Sequence, residues 1–147
     1  MLRKIFTLLA QEKKDDTFNL PAIFAGLLVR AAKIDNEYTN EEKIEIEQII
    51  QNKFHTSLEE SKQLRLLGEE IEENTIDTVQ ITREIKKEIP FEDRKELAEN
   101  LWSIILTDKY RSDEENSFMR NCVKLIGVND VDSARARNSV LAQKKKS

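Results

Sequence analysis

One short acidic segment carries the residues best suited to chemistry in this chain. Asp35, Glu37 and Glu42 follow each other closely, and carboxylate oxygens are the hard ligands that Ca²⁺ and Mg²⁺ prefer. Thr39 can add a carbonyl or hydroxyl oxygen. The segment is not an EF-hand, which needs a longer run of ligands around a central glycine. It predicts weak binding of a divalent cation, either Ca²⁺ or Mg²⁺.

The same residues also have a purely structural interpretation. Thr39 and Glu42 form a capping box, in which each side chain satisfies a backbone N–H at the start of a helix. Asp35 can close the preceding helix or form an Asx turn. From these residues alone, a cation site and a set of helix caps both stay open.

The rest of the chain does not predict catalysis. His55 and Cys122 are the single members of their types, which disfavours zinc chemistry and rules out an internal disulfide. The sequence suggests no Ser/His/Asp or Cys/His set and contains no phosphate-binding glycine loop. We expect a protein that is not an enzyme, with a metal-dependent hydrolase using the acidic segments as the alternative.

Composition narrows the class of partner. The formal charge is −4, from 28 acidic and 24 basic side chains, which argues against nucleic-acid binding because phosphates need a basic face. No basic pocket and no small-molecule substrate are evident. The richest apolar stretch, residues 23–32, is too short to span a bilayer and contains Arg30. The single cysteine and the lack of a cleavable signal predict a cytoplasmic protein.

Helical signals run along nearly the whole chain. Apolar residues recur at three- and four-residue steps, the period of an α-helix, and only three Gly and two Pro occur in 147 residues. Predicted helix starts and stops are Asn19, the capping boxes at Thr39, Ser57 and Ser112, Asp77, Pro90 and Gly127. These signals predict an all-α, compact bundle of seven to eight helices.

Three segments follow from this pattern. Residues 1–16 are predicted to form an amphipathic helix, residues 17–143 a single helical domain, and residues 144–147 a basic, disordered tail. The apolar stripe within residues 2–14, flanked by lysine and arginine, is expected either to pack onto the domain or to lie on a membrane surface. In the second case the alternative function is a membrane-peripheral scaffold that uses this helix.

The chain contains an internal repeat. A shift of 73 residues places Asp35 on Asp108, Thr39 on Ser112 and Glu42 on Glu115. The same shift pairs seven apolar positions, namely Ala25/Ala98, Leu28/Leu101, Ala31/Ile104, Ala32/Ile105, Ile46/Met119, Ile49/Cys122 and Ile50/Val123. Loop chemistry and core pattern therefore agree, which predicts one helix–loop–helix unit used twice.

These paired segments resemble the TerB-like family, which includes the tellurite-resistance protein TerB and the N-terminal domain of the DjlA co-chaperone. The shared pattern is an apolar helix, Asp-Gly, a spacer, Ser or Thr, and a Glu that opens the next helix, occurring twice; here it covers residues 22–128. The resemblance implies an all-helical fold with pseudo-twofold symmetry and a role in stress response or in complexes near the membrane. It also implies a divalent-metal site at both loops, comprising Asp35, Glu37, Glu42, Asp108 and Glu115.

The sequence departs from the family pattern after each aspartate. The family's glycine is Asn36 in the first loop and Lys109 in the second. A left-handed backbone there suits Asn better than Lys. Lys109 would also repel a cation beside Asp108, by about 4 kcal/mol for unit charges about 4 Å apart near a surface. The first loop is therefore the favoured metal site.

We expect a TerB-like cytoplasmic module that joins partner proteins. Tellurite itself is a poor ligand candidate, because the anion would meet a net-negative chain. Trp102 is expected either to pack in the core against the first helix or to show an edge to a partner. Cys122 is expected in the core as an inert thiol. One helix forms either a docking face or a solvated surface through Glu59, Glu60, Glu69, Glu70, Glu72 and Glu73.

Overall fold

The computed structural model describes residues 19–75, 77–107 and 112–146. Within these ranges every regular element is helical. The seven α-helices are α1 (Leu20–Ala32), α2 (Asn40–Phe54), α3 (Leu58–Asn74), α4 (Thr78–Glu88), α5 (Arg94–Ile105), α6 (Asp113–Leu125) and α7 (Asp130–Lys146), and a 3₁₀ turn spans Phe91–Asp93. The predicted all-α bundle is confirmed.

The helices begin at the predicted capping residues. Thr39, Ser57 and Ser112 each accept a hydrogen bond from the backbone N–H of the glutamate three residues on, and the carboxylate of that glutamate accepts one from the backbone N–H of the capping residue. The Asn19 side chain caps α1, which has Pro21 in its first turn, and Asp77 caps α4. These starts were predictable because capping depends on side chains within one turn.

The repeat is confirmed by burial. In each of the seven apolar pairs related by the shift of 73 residues, both members are buried. One copy of the unit is α1, its loop and α2, and the other is α5, its loop and α6. The two copies therefore turn equivalent faces toward one core.

The first helix of the repeat lies at the centre of the molecule. Ten residues of α1 are buried, and the helix packs against α2, α3, α4 and α5. The last helix, α7, lies outside the repeat and packs against α5 and α6. This arrangement leaves the first inter-helix loop at the surface, with Asp35 half-buried and Glu37 exposed.

The two ends of the chain compare differently with the sequence prediction. The predicted helix at residues 1–16, with its membrane-facing stripe at residues 2–14, lies outside the described residues. The basic tail was predicted to be disordered, but α7 continues through Lys146. Cations complement the negative end of a helix, so this lysine run favours the final turn. No helix in the described ranges has both the length and the apolar character needed to cross a membrane.

Candidate functional site

The first acidic loop has the conformation that its sequence permits. Asn36 adopts a left-handed backbone with φ of 63°. Asn tolerates this conformation better than most other residues. The Oδ1 atom of Asp35 accepts a hydrogen bond from the backbone N–H of Glu37 at 3.0 Å. This Asx turn confirms the structural role predicted for Asp35. The equivalent residues Asp108 and Lys109 lie outside the described residues.

The two capping glutamates of the repeat are buried carboxylates. Glu42 and Glu115 are 5% and 3% exposed. Oε1 of Glu42 accepts from the Thr39 backbone N–H at 2.9 Å and from the Thr39 hydroxyl at 3.1 Å. Oε1 of Glu115 accepts the same two bonds from Ser112 at 2.9 and 3.2 Å. In each box the cap uses the same single carboxylate oxygen.

The first acidic loop faces the start of α6 across one of two adjoining cavities. A cavity of about 400 Å³ is lined from one side by Ile34, Asp35, Asn36 and Glu37, and from the other by Ser112, Glu114 and Glu115. A second cavity of about 310 Å³ shares Asp35 and Glu37 and reaches Thr39, Glu41, Glu42 and Thr107. We call this joint region, with the carboxylates of Asp35, Glu37, Glu42 and Glu115, the acidic pocket.

The acidic pocket carries an excess of negative charge. Burial raises the pKa of the Glu42 carboxyl above its ordinary value. Hydrogen bonds from Thr39 lower this pKa in part, and the charges of Asp35 and Glu115 raise it further. Ionised Glu42 is therefore less favourable in the folded protein than in water, and a nearby cation would reverse that effect.

The donor set suits a hard cation in chemistry, although the geometry is incomplete. All four carboxylates offer oxygen, as Ca²⁺ and Mg²⁺ prefer. Within the described ranges, no three His, Cys, Asp or Glu side chains are grouped closely enough to hold a metal ion. Asp35, Glu42 and Glu115 each direct one carboxylate oxygen to a turn or a cap. Asp108, the fifth predicted ligand, is outside these ranges.

The acidic helix α3 is partly a structural element. Glu72 lies 3.4 Å from Nε of Arg30 and 3.0 Å from Nζ of Lys33, both on α1. Glu69 pairs with Arg65 and accepts a hydrogen bond from the Tyr38 hydroxyl at 2.7 Å. Glu69 and Glu72 thus join α3 to its neighbours, which neither the docking nor the solvated interpretation predicted. No sequence spacing signals these cross-helix pairs.

Cys122, Trp102 and His55, which the sequence analysis singled out, each have a structural role. Cys122 is buried, and burial raises the pKa of its thiol to about 12, so an inert core thiol is confirmed. Trp102 is also buried, but its indole N–H donates to the Ser133 hydroxyl on α7 at 3.1 Å. His55 is the left-handed C-cap of α2, with φ of 57°.

A basic cavity lies where the sequence suggested none. It has a volume of about 330 Å³ and is lined by Val79, Thr82, Arg83, Lys86, Lys87, Arg94 and Leu125. The expectation of no basic pocket was wrong. Net charge is an average over the whole chain, whereas this cavity is lined by cationic side chains from two helices. Arg83, Lys86 and Lys87 have the spacing of one helix face, a signal that was available in the sequence.

Comparisons with known proteins point to one family. The family model described as Tellurite resistance protein TerB matches residues 22–138, which is most of the chain. No curated protein and no solved structure matches the chain. The matched range contains both acidic loops and both copies of the repeat.

Proposed function

The chain belongs to the TerB family, and from this membership we propose that it is a non-catalytic, cytoplasmic stress-response module that joins partner proteins and binds a divalent cation at the acidic pocket. No enzymatic family is indicated by the comparisons. The proposal for the cation gives the two loops a shared task, in which one ion interacts with carboxylates from both copies of the repeat.

A single observation carries the cation proposal. Two buried carboxylates, Glu42 near the start of α2 and Glu115 near the start of α6, line two cavities that share Asp35 and Glu37. After burial and the charge of Asp35, the charge of Glu115 also raises the pKa of Glu42. Each carboxylate accepts hydrogen bonds from its cap, but like charges still repel each other, and a positive charge compensates this repulsion. A cation between the loops would supply that compensation and would stabilise the packing of one copy of the repeat against the other.

The chemistry of the pocket favours Ca²⁺ or Mg²⁺. Its side-chain donors are carboxylate oxygens, with hydroxyls from Thr39 and Ser112 nearby, whereas transition metals usually take imidazole or thiolate ligands. Asp35, Glu37 and Glu42 form the favoured first-loop half of the site. Glu115 belongs to the second half, and Asp108, the other ligand predicted there, lies outside the described residues.

A cation titration tests this proposal. We expect Ca²⁺ or Mg²⁺, titrated to about ten times the Kd of about 0.1–1 mM of weak calcium sites, to shift the backbone amide signals of residues 35–42 and 112–115 saturably. Binding only to the folded state should also raise the melting temperature, by an amount equivalent to about 2.7 kcal/mol at a hundredfold excess over Kd.

Matched variants separate a specific site from general charge. Asp35→Asn with Glu37→Gln removes two negative charges from the pocket and keeps an oxygen acceptor for the Asx turn, so it should weaken binding about tenfold or more. Glu70→Gln with Glu73→Gln removes the same charge from an exposed part of α3 and should leave binding unchanged. Equal weakening in both variants, or no amide shifts at about 10 mM cation, would overturn the proposal.

A further inference from the structure

The basic cavity combines cationic side chains with an apolar lining. Arg83, Lys86 and Lys87 come from α4, and Arg94 comes from the start of α5. None of the described residues that line the cavity is acidic. The chain as a whole has a net charge of −4, so this cluster of positive charge is local and does not follow from composition.

Two of these cations are available to a ligand. Arg83 and Lys86 are exposed, and within the described ranges neither forms a salt bridge. Lys87 differs, since its Nζ lies 3.2 Å from the Glu84 carboxylate. Exposed cations without an intramolecular partner lose little by pairing with an incoming carboxylate.

The fourth cation is fixed in place by the fold. The guanidinium of Arg94 donates to the carbonyl oxygens of Ile89 and Lys86 at 3.3 Å and of Ile126 at 3.4 Å. These carbonyls lie at the C-terminal ends of α4 and α6, where helices leave acceptors unsatisfied. Arg94 therefore holds the two helix ends together and gives the cavity a rigid wall.

An exposed aromatic ring adjoins this wall. Phe91 is 62% exposed, and the guanidinium carbon of Arg94 lies 5.6 Å from the centre of its ring. Val79 and Leu125 add apolar surface inside the cavity. Aromatic and arginine side chains together are characteristic of residues that dominate protein interfaces.

We propose that this cavity and Phe91 form a docking site for an acidic peptide segment of a partner protein, in which carboxylates flank one apolar side chain. The carboxylates would pair with Arg83 and Lys86, and the apolar side chain would contact Val79, Leu125 and Phe91. The inference rests on the proposed function only in taking the partner to be a protein. It concerns a surface separate from the acidic pocket.

The apolar component distinguishes a peptide from a simple anion. A phosphate or another small anion would use the cations alone and would gain nothing from Phe91 or Leu125. A peptide with an aliphatic residue between acids uses both, because burial of apolar surface adds to the charge pairing.

The test uses a capped peptide of sequence Glu-Asp-Leu-Asp-Glu and the full chain. We expect the peptide to shift the amide signals of Val79, Arg83 and Leu125, with binding that weakens as NaCl rises from about 50 mM to about 300 mM. The neutral analogue Gln-Asn-Leu-Asn-Gln and inorganic pyrophosphate should each bind at least about tenfold more weakly than the peptide. Pyrophosphate binding as tightly as the peptide would overturn the proposal, as would the absence of peptide shifts.

Variants locate the binding site on the surface. Arg83→Glu with Lys86→Glu should weaken peptide binding at least about tenfold, and Phe91→Ala should weaken it several-fold without changing the charge. Lys62→Glu with Lys145→Glu makes the same charge change at exposed positions outside the cavity and should leave binding intact. Equal loss in this control would show a non-specific charge effect and overturn the proposal.

Failure here is distinguishable from failure of the proposed function. The cation titration of the acidic pocket is repeated on the Arg83→Glu, Lys86→Glu variant. A variant that keeps the cation response but loses the peptide supports the docking site, while loss of both would reveal a damaged fold, which Phe91→Ala and the amide spectrum check independently. A parent protein that responds to the cation but does not bind the peptide would reject only the docking site.

Discussion

At the scale of single residues, one capping motif occurs in two electrostatic surroundings. Glu42 and Glu60 form the same reciprocal bonds with Thr39 and Ser57. Burial raises the pKa of Glu42, with help from neighbouring carboxylates, whereas the hydrogen bonds from Ser57 lower the pKa of the exposed Glu60. The motif is identical, so the difference in pKa comes from what the tertiary structure places around it.

The substitution Glu42→Gln is expected to stabilise the protein near neutral pH. Because the pKa of Glu42 is raised on folding, its contribution to stability falls as pH rises from the unfolded pKa through the folded pKa. Gln keeps an Oε1 acceptor for Thr39 but carries no charge, so the variant should gain a few degrees in melting temperature. Thermal unfolding from about pH 4 to about pH 8, without divalent cation, measures this.

Glu60→Gln is the matched control and should behave in the opposite way. A folded pKa below the unfolded value stabilises the protein above the unfolded pKa, and this stabilisation is lost as pH falls through the folded pKa. The variant should therefore melt slightly lower than the parent near neutral pH and equal it in acid. The same pH dependence in both variants would contradict the buried position assigned to Glu42.

At the scale of elements, α1 and α3 cross with their backbones in close contact. A Cβ atom built on Gly68 would lie 2.7 Å from Cβ of Ala25 and 2.8 Å from the backbone N of Gly26. Ala25 is fully buried. Glycine in α3 is therefore required by the approach of the neighbouring helix, although a helix would otherwise favour alanine.

Gly68→Ala should destabilise the protein. The clash is with backbone and an adjacent Cβ, which cannot move without separating the helices, so we expect a loss of about 1–3 kcal/mol in the free energy of unfolding. This outweighs the gain of up to about 1 kcal/mol from helix propensity. Urea denaturation measures the difference.

Gly26→Ala provides the comparison at the same crossing. Its Cβ would meet Cγ2 of Ile71 at 3.1 Å, a side-chain methyl that can shift by a few tenths of an ångström. The loss should be smaller than for Gly68→Ala. A Gly68→Ala protein as stable as the parent would show that the two helices are not held at this separation.

At the scale of the whole molecule, α7 joins the repeat by packing mainly against α5. The Trp102 indole N–H donates to the Ser133 hydroxyl at 3.1 Å, and Arg137 lies 5.8 Å from the centre of the same ring system. Ala136 and Val140 are buried beside them. This helix has no counterpart within the repeat, and these side chains contribute to its attachment together with the ion pair between Lys95 and Asp132.

Ser133→Ala should loosen this attachment. The indole N–H would lose its Ser133 acceptor in a buried position, at a cost of about 1–3 kcal/mol. Trp102 is the only tryptophan, so its fluorescence during urea unfolding reports on the site. Ser139→Ala on the same helix, which loses no hydrogen bond that the structure records, should change stability by less than about 0.5 kcal/mol. Equal effects would contradict the role of Ser133.

The sequence by itself determined the helix starts, the repeat and the family. Caps at Thr39, Ser57 and Ser112 act within one helical turn, and apolar periodicity is a property of each helix's own sequence, so both are local signals. The repeat was visible because its two copies keep the same loop and core pattern at a fixed spacing. The pairs of buried positions followed directly from that alignment.

Only the tertiary structure decided how separate segments meet. It placed Glu42 and Glu115 on two cavities that share Asp35 and Glu37, joined Arg94 to the cations of α4, and turned Trp102 toward Ser133. These contacts depend on the packing of helices distant in sequence, and burial there changes the energy of a charge or a polar group without any change in the local motif.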